Sequence, residues 1–237
     1  MLRTLHAIQI IITAFAFSAM PCEAFPQTGS NDLKFDFGDG VLKTGFIRVT
    51  GDMMYDPARG YGFVSESPIQ DVKSDNNDPL LQDLCTSAGP FYFIVDLPEG
   101  NYKIKMTFGD EKDSTCTTVK AESRRLMLEC VKTKPGEYET RTIVVNVRTP
   151  AISSGDSIHI KSREQGFLNW DNKLSLEFNN SRPCIDALEI TAVQKIQKVI
   201  LAGNSTVVDQ EFEPWCSWGQ MITNFLSDDI EIGRAHV

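Results

Sequence analysis

Between Leu33 and Ile190 apolar side chains recur at every second position, and few architectures accept that pattern. Successive side chains of an extended chain leave on opposite faces, so such a run buries one face and wets the other. Phe91, Phe93, Val95 and Leu97 alternate with Tyr92, Ile94 and Asp96. After Pro98-Glu99-Gly100-Asn101 the rhythm resumes at Tyr102, Ile104, Met106 and Phe108. Two alternating runs joined by a Pro/Gly turn are expected to pair as a β-hairpin. Further strands are expected at 115–121, 125–129, 140–147, 157–161, 174–178 and 185–191. Lys134-Pro135-Gly136, Ser154-Gly155-Asp156 and Asn179-Asn180 act as turn signals between them. No helical period is sustained over this region. The expected fold is mainly β, an antiparallel sandwich of the jelly-roll kind occupying 25–195.

One stretch inside it, 52–77, is less regular and holds Tyr55, Tyr61, Phe63 and several carboxylates. Aromatic rings on loops at the rim of a sandwich can stack on sugar rings, with nearby carboxylates for hydroxyls or calcium. They serve equally well as covers for the end of the sandwich. Tyr55 and Tyr61 are therefore candidate substrate-binding residues, as is Trp170, flanked by Asn169 and Asp171.

The first residues read as an address rather than as fold. Arg3 and His6 precede an apolar stretch from Ile8 to Ala19, and Cys22-Glu23-Ala24 ends on a small residue. That is the grammar of a secretory signal, too short to span a bilayer, with cleavage expected near Ala24 and a secreted or periplasmic product. A lipid anchor at Cys22 fits poorly with Met20-Pro21 before it. Beyond the signal five cysteines remain, Cys85, Cys116, Cys130, Cys184 and Cys216, with no Cys-x-x-Cys spacing. A Cys116–Cys130 bridge and buried free thiols both fit this number, and nothing calls for a zinc site or other cofactor. The net charge of −9 argues against a nucleic-acid partner, which needs a basic surface.

After the polar bridge 194–198 the pattern changes. Val199–Ala202 reads as a buried strand, stopped at Gly203 and followed at once by Ser205. In open α/β sheets the carboxyl ends of strands are where ligands and chemistry gather. For those few residues alone, an ordinary Gly-Asn-Ser turn is the plainer reading. Trp218, Met221, Ile222, Phe225 and Leu226 follow a 3.6-residue spacing and read as the apolar face of a helix. Residues 196–230 are thus expected to open an α/β domain that is incomplete, since one strand and one helix cannot bury each other's apolar faces. The closing residues, Glu231 to Val237, match one translated frame of a common sequencing adapter and are expected not to be natural. The genomic sequence beyond Ile230 checks this.

Val199–Gln220 resembles the first motif block of the SGNH (GDSL-type) hydrolases. Leu201-Ala202-Gly203, Ser205-Thr206-Val207, Asp209-Gln210 and Pro214-Trp215 with Ser217-Trp218-Gly219-Gln220 are more closely similar to rhamnogalacturonan acetylesterase-like enzymes. Phe35-Asp36-Phe37-Gly38 and Gly60-Tyr61-Gly62-Phe63 resemble the galactose-binding-like sandwich that precedes such domains. The resemblance implies a secreted carbohydrate esterase that deacetylates pectic plant cell-wall polysaccharide, with Ser205 as nucleophile. The Ser205 backbone N–H would supply part of the oxyanion hole. Asn204 stands where that family usually has Asp. A carbohydrate-binding module, or a sandwich that only packs against an esterase domain, is the alternative.

A serine hydroxyl needs a base within hydrogen-bond reach, which the family draws from a later Asp-x-x-His. Of the three histidines here, His6 lies in the signal, His159 in an expected sandwich strand and His236 in the suspect tail. Protein spanning 25–237 is therefore expected to release no acetate from an acetyl ester. Measurable hydrolysis by that purified protein overturns the expectation.

Overall fold

The computed structural model describes residues 32–152 and 155–236, so the signal reading of 1–24 lies outside the described residues. In chain order the strands begin with β1 (Leu33–Phe37), β2 (Ile47–Val49), β3 (Tyr61–Ser65), β4 (Ile69–Lys73) and β5 (Asp83–Ser87). Then come β6 (Phe91–Asp96), β7 (Gly100–Asp110), β8 (Thr115–Ala121), β9 (Arg125–Thr133) and β10 (Glu137–Val147). The series closes with β11 (Lys173–Arg182), β12 (Cys184–Ile185), β13 (Ala187–Ala192) and β14 (Gln197–Gly203), a short helix α1 (Trp218–Met221) and β15 (Ile230–His236). No described helix is long and apolar enough to cross a membrane.

Two five-stranded sheets make the sandwich, ordered β10-β7-β13-β1-β2 and β3-β6-β11-β8-β9. All neighbours are antiparallel except β1 and β2. A small antiparallel sheet, β12-β5-β4, closes one side. The mainly β sandwich expected from the alternation is present. Its inward faces meet through phenylalanine rings: Phe35 of one sheet lies 5.2 Å from Phe93 of the other, edge-on, and Phe108 lies 6.5 Å from Phe178, which stacks on Phe91 of its own sheet at 5.1 Å.

Several local expectations are corrected. β6 and β7 do not form a hairpin; they lie in different sheets, and the Pro98–Glu99 turn carries the chain across the core. Phe91, Phe93 and Val95 point into the same core as Tyr102, Ile104, Met106 and Phe108. Alternation specifies a buried face but not a hydrogen-bonding neighbour, so an arch between layers and a hairpin within one layer read alike. Residues 157–161 are not a strand: only an isolated bridge, Ala151 to Ser157, forms there, and Ile158 is exposed for want of a layer to cover it. Asn179-Asn180 is no turn but an irregularity within β11, where Asn180 adopts φ 104° and the register to β8 shifts. β3 and β4 fall inside the stretch read as irregular.

Cys116 and Cys130 are joined as a disulfide across β8 and β9, while Cys85 and Cys184 are buried thiols and Cys216 is exposed. Cys184 stands opposite Thr86, and Ile185 opposite Cys85. The two buried thiols therefore leave opposite faces of one strand pair and cannot reach each other.

Three carboxyls, Asp36, Asp83 and Asp186, are buried at the edge of this core. The chain turns tightly over Asp83 at Gly38 and Gly40, where an added Cβ would sit 2.5 and 2.8 Å from Asp83 Oδ2. The Gly40 N–H donates to that oxygen. Neither oxygen of Asp186 has a hydrogen-bond partner among the described residues. Burial first, then repulsion from neighbouring carboxylates, pushes Asp186 well above the ordinary range and Asp83 up to about 6. A carboxyl whose folded value exceeds its unfolded one favours the fold when protonated. That contribution is complete below about pH 4 and is lost as pH rises through about 6. Asp83→Asn, which keeps an acceptor for Gly40 but cannot ionise, is expected to stabilise the protein by about 1–3 kcal/mol near pH 7.5. It should change the melting temperature little near pH 4, and equal shifts at the two pH values would remove the buried charge as the cause.

Candidate active-site loop and its seat on the sandwich

β14 ends at Gly203, where the chain must turn close to its own continuation: an added Cβ would lie 2.6 Å from Val207 Cγ2. The Asn204 side chain then folds back as an Asx turn, its Oδ1 accepting from the Thr206 N–H at 3.0 Å and the Thr206 hydroxyl at 2.8 Å. The Val207 N–H closes on the Asn204 carbonyl at 2.9 Å. Ser205 sits exposed at the apex of this turn. Its carbonyl accepts from Gln210 Nε2 at 2.8 Å, and its Oγ has no hydrogen-bond partner among the described residues.

The helix that follows is built against this turn. Ser217 caps α1 with a complete capping box, its Oγ accepting from Gln220 N–H while the Gln220 side chain accepts from Ser217 N–H. The Trp218 N–H donates to the Thr206 carbonyl at 3.1 Å. Gly219 packs on Val207 so closely that an added Cβ would lie 2.0 Å from the Val207 carbonyl oxygen.

Two expectations about this region are corrected. β14 is not buried: Ile200 is 66% exposed, since among the described residues β14 pairs only with β15, in parallel. Nor does the helix bury its apolar positions. Gly219 and Gln220 face inward, whereas Trp218 and Phe225 are exposed, as are Phe212 and Trp215 in the preceding loop. The reason is that polar contacts hold this segment to the sandwich. Gln220 Nε2 donates to the Ser123 carbonyl at 2.6 Å and to the Gln210 carbonyl at 3.0 Å. Thr223 Oγ1 donates to the Leu126 carbonyl at 2.6 Å.

At the centre of the seat Arg125, at the start of β9, donates from Nε and Nη2 to Asp209 Oδ2 at 3.0 and 2.7 Å. Their side chains are only 5% and 3% exposed. Arg148 approaches the same oxygen at 3.6 Å and Asn169 Nδ2 at 3.4 Å. Burial works against the Arg125 charge, but the Asp209 carboxylate outweighs it and holds Arg125 above its usual value. Arg148, buried and beside Arg125, falls to about 10. Burial lifts Glu122 to about 8, against the pull of Arg125.

The three aromatic candidates share one end of the sandwich, where Asp96 of β6 opposes Lys173 of β11. Tyr55 donates its hydroxyl to Asp96 Oδ1 at 2.8 Å, and Lys173 Nζ lies 4.8 Å from its ring. Burial, then the Asp96 contact, pushes the phenol up to about 12. Tyr61 leans on the core, 5.1 Å from Phe35, with the Arg59 guanidinium 5.3 Å from its ring. Trp170 carries the Arg148 guanidinium 4.5 Å from its ring. Through Arg148, the Trp170 loop is thereby linked to Asp209, four residues past Ser205.

His159 is exposed in the irregular loop after β10 and belongs to no strand, contrary to expectation. No hydrogen bond joins it to Ser205 among the described residues, and no cluster of three or more His, Cys, Asp or Glu there is placed to hold a metal ion. Sequence reading passed over Arg125 and Arg148. Their one signal was compositional, arginines bounding the β9 and β10 strands of an acidic chain, and it named no partner.

Residues 33–135 match the family model described as beta-agarase/YXIM esterase-like, galactose-binding domain-like. That stretch is similar to galactose-binding domain-like modules. A curated relative, the uncharacterized esterase YxiM of Bacillus subtilis (strain 168), is 24% identical over 200 residues, which is 81% of this chain and 47% of the relative. The chain thus spans about half the length of that relative. The crystal structure of the Bacillus subtilis YxiM protein aligns with 86% of this chain and 54% of its own, at 23% identity and a TM-score of 0.51, and shares the fold. The ANX2 ectodomain of Arabidopsis thaliana covers 69% of this chain and 50% of its own at 9% identity, with a TM-score of 0.48.

Gly219→Ala tests the helix–turn contact. It is expected to cost about 1–3 kcal/mol and to loosen residues 204–220 while the sandwich stays folded. A variant with wild-type melting and wild-type protease resistance in that segment would contradict the close packing.

Proposed function

We propose that this chain carries the sugar-recognising module and the nucleophile segment of an exported serine esterase that removes acetyl groups from pectic polysaccharide of the rhamnogalacturonan type. The observation that carries the reading is the 199–220 motif, whose Ser205 stands exposed at a strand end, seated on a galactose-binding-like sandwich. The esterase relative supports the ester-hydrolysing part, and the galactose-binding-like module the carbohydrate part.

In the proposed reaction Ser205 Oγ attacks the acetyl carbonyl while a histidine base accepts its proton, and the Ser205 backbone N–H faces the developing oxyanion. An exposed apical hydroxyl suits attack. Tyr55 and Trp170, at one end of the sandwich, would hold the sugar chain; Tyr61 contributes less, because one side of its ring is engaged by the core. The galactose-binding-like match and the signal-like first residues support an exported protein acting on plant cell-wall material. One observation favours a second reading, binding without catalysis by this chain: His159 is exposed in a loop and is not bonded to Ser205.

Acetate release from acetylated rhamnogalacturonan by the gene product that contains this chain tests the first reading. Ser205→Ala is expected to lower kcat by about a thousandfold or more. Activity that survives the substitution removes Ser205 from the mechanism. Titration of the chain with galacturonan-type oligosaccharides tests recognition: Tyr55→Ala and Trp170→Ala are each expected to weaken binding about tenfold. A ligand that shifts neither tryptophan fluorescence nor melting temperature leaves the sandwich as a scaffold.

A further inference from the structure

The Ser205 turn has few bonds of its own: the Asn204 Asx turn and the Gln210 side chain on the Ser205 carbonyl. The Val207 N–H on the Asn204 carbonyl and the Trp218 N–H on the Thr206 carbonyl add to these, and two lines of contact from the sandwich begin in one place, residues 122–125 at the β8–β9 turn. The first is Arg125 to Asp209, two bonds at 3.0 and 2.7 Å on a carboxylate that is almost wholly out of water. A buried ion pair stabilises little, because desolvation offsets the attraction, but it is strict about geometry. The fork of the guanidinium allows Asp209 few positions. The second line runs from the Ser123 carbonyl to Gln220 Nε2, from Gln220 to the Gln210 carbonyl, and from Gln210 Nε2 to the Ser205 carbonyl. The 122–125 turn is itself specialised, with Glu122 at φ 55° and Arg124 at φ 60°, conformations side-chain-bearing residues seldom adopt.

We propose that Arg125, a residue of the sandwich, is a positioning residue for Ser205 and acts through Asp209. It has no bond to the Ser205 hydroxyl; it sets where the turn that carries the hydroxyl sits. The galactose-binding-like module is then part of the esterase machinery as well as a sugar-recognising neighbour. This inference rests on the reading of Ser205 as the nucleophile.

Amide hydrogen exchange on the full chain reads the positioning without reference to catalysis. Arg125→Met is expected to speed exchange of the Val207 amide, now bonded to the Asn204 carbonyl, about tenfold or more. Peptides from β6 and β11 should keep their protection, and Arg125→Lys, which retains the charge, should recover part of the loss. Unchanged exchange over 204–210, or equal loss across β6 and β11, overturns the proposal. If Arg125→Met does not fold, Asp209→Asn breaks the pair from the other side and should give the same local pattern; wild-type exchange in that variant also overturns it. Acetate release by the enzyme that contains this chain separates the two readings. Arg125→Met is expected to lower kcat about 10- to 100-fold with KM within about twofold. Activity independent of Ser205 overturns the nucleophile assignment and this inference with it. Ser205-dependent activity that Arg125→Met leaves untouched overturns the positioning role alone.

Discussion

The rings of Phe35, Phe37, Phe63, Phe91, Phe93, Phe108 and Phe178 are fully buried, and the two sheets exist as a sandwich because these rings have nowhere else to leave water. Burying one such side chain is worth about 1.5–3 kcal/mol, so these seven rings contribute heavily to the apolar burial of the described residues. They fix which face of β1, β3, β6, β7 and β11 turns inward, and hence which residues remain on the outer faces and loops. Tyr92, Lys120 and Glu177 on the outside of one sheet are joined by hydrogen bonds to one another because the inward positions are already taken.

The attachment of the carboxyl-terminal segment follows a different physics. It buries few large apolar groups against the sandwich and leaves Phe212, Trp215, Trp218 and Phe225 in water. It is held by charge and hydrogen bonds, with Asp209 between Arg125 and Arg148 and Gln220 between two carbonyls. Such contacts are demanding in direction and modest in net free energy, which suits a segment that must be aimed more than it must be glued.

Much of the fold was legible in the chain. Alternation placed β8 to its end residues and the inward positions of β6 and β7 correctly, because period two is a direct consequence of strand geometry. What alternation cannot carry is partner choice, and so the arch between β6 and β7 was read as a hairpin. The strand at 199–202 was read as buried from its composition alone, yet burial depends on covering layers that no local pattern encodes. At the candidate site the turn at Gly203-Asn204-Ser205 was legible, since glycine and asparagine prescribe it locally. Arg125 was not, because it meets Asp209 across 84 residues and nothing near either residue announces the other.

The first sheet has one more property. β1, at the amino-terminal edge of the described chain, lies between β2 and β13, with Leu33 opposite Ile190. The opening strand therefore finds its antiparallel neighbour only after about 150 further residues have been made, and β13 is also the link between β1 and β7. Closure of the sandwich is among the most non-local events in its folding, and topologies of that kind fold slowly. A nascent polypeptide lacking β13 cannot complete its first sheet, so the sandwich closes only once nearly the whole module has been synthesised.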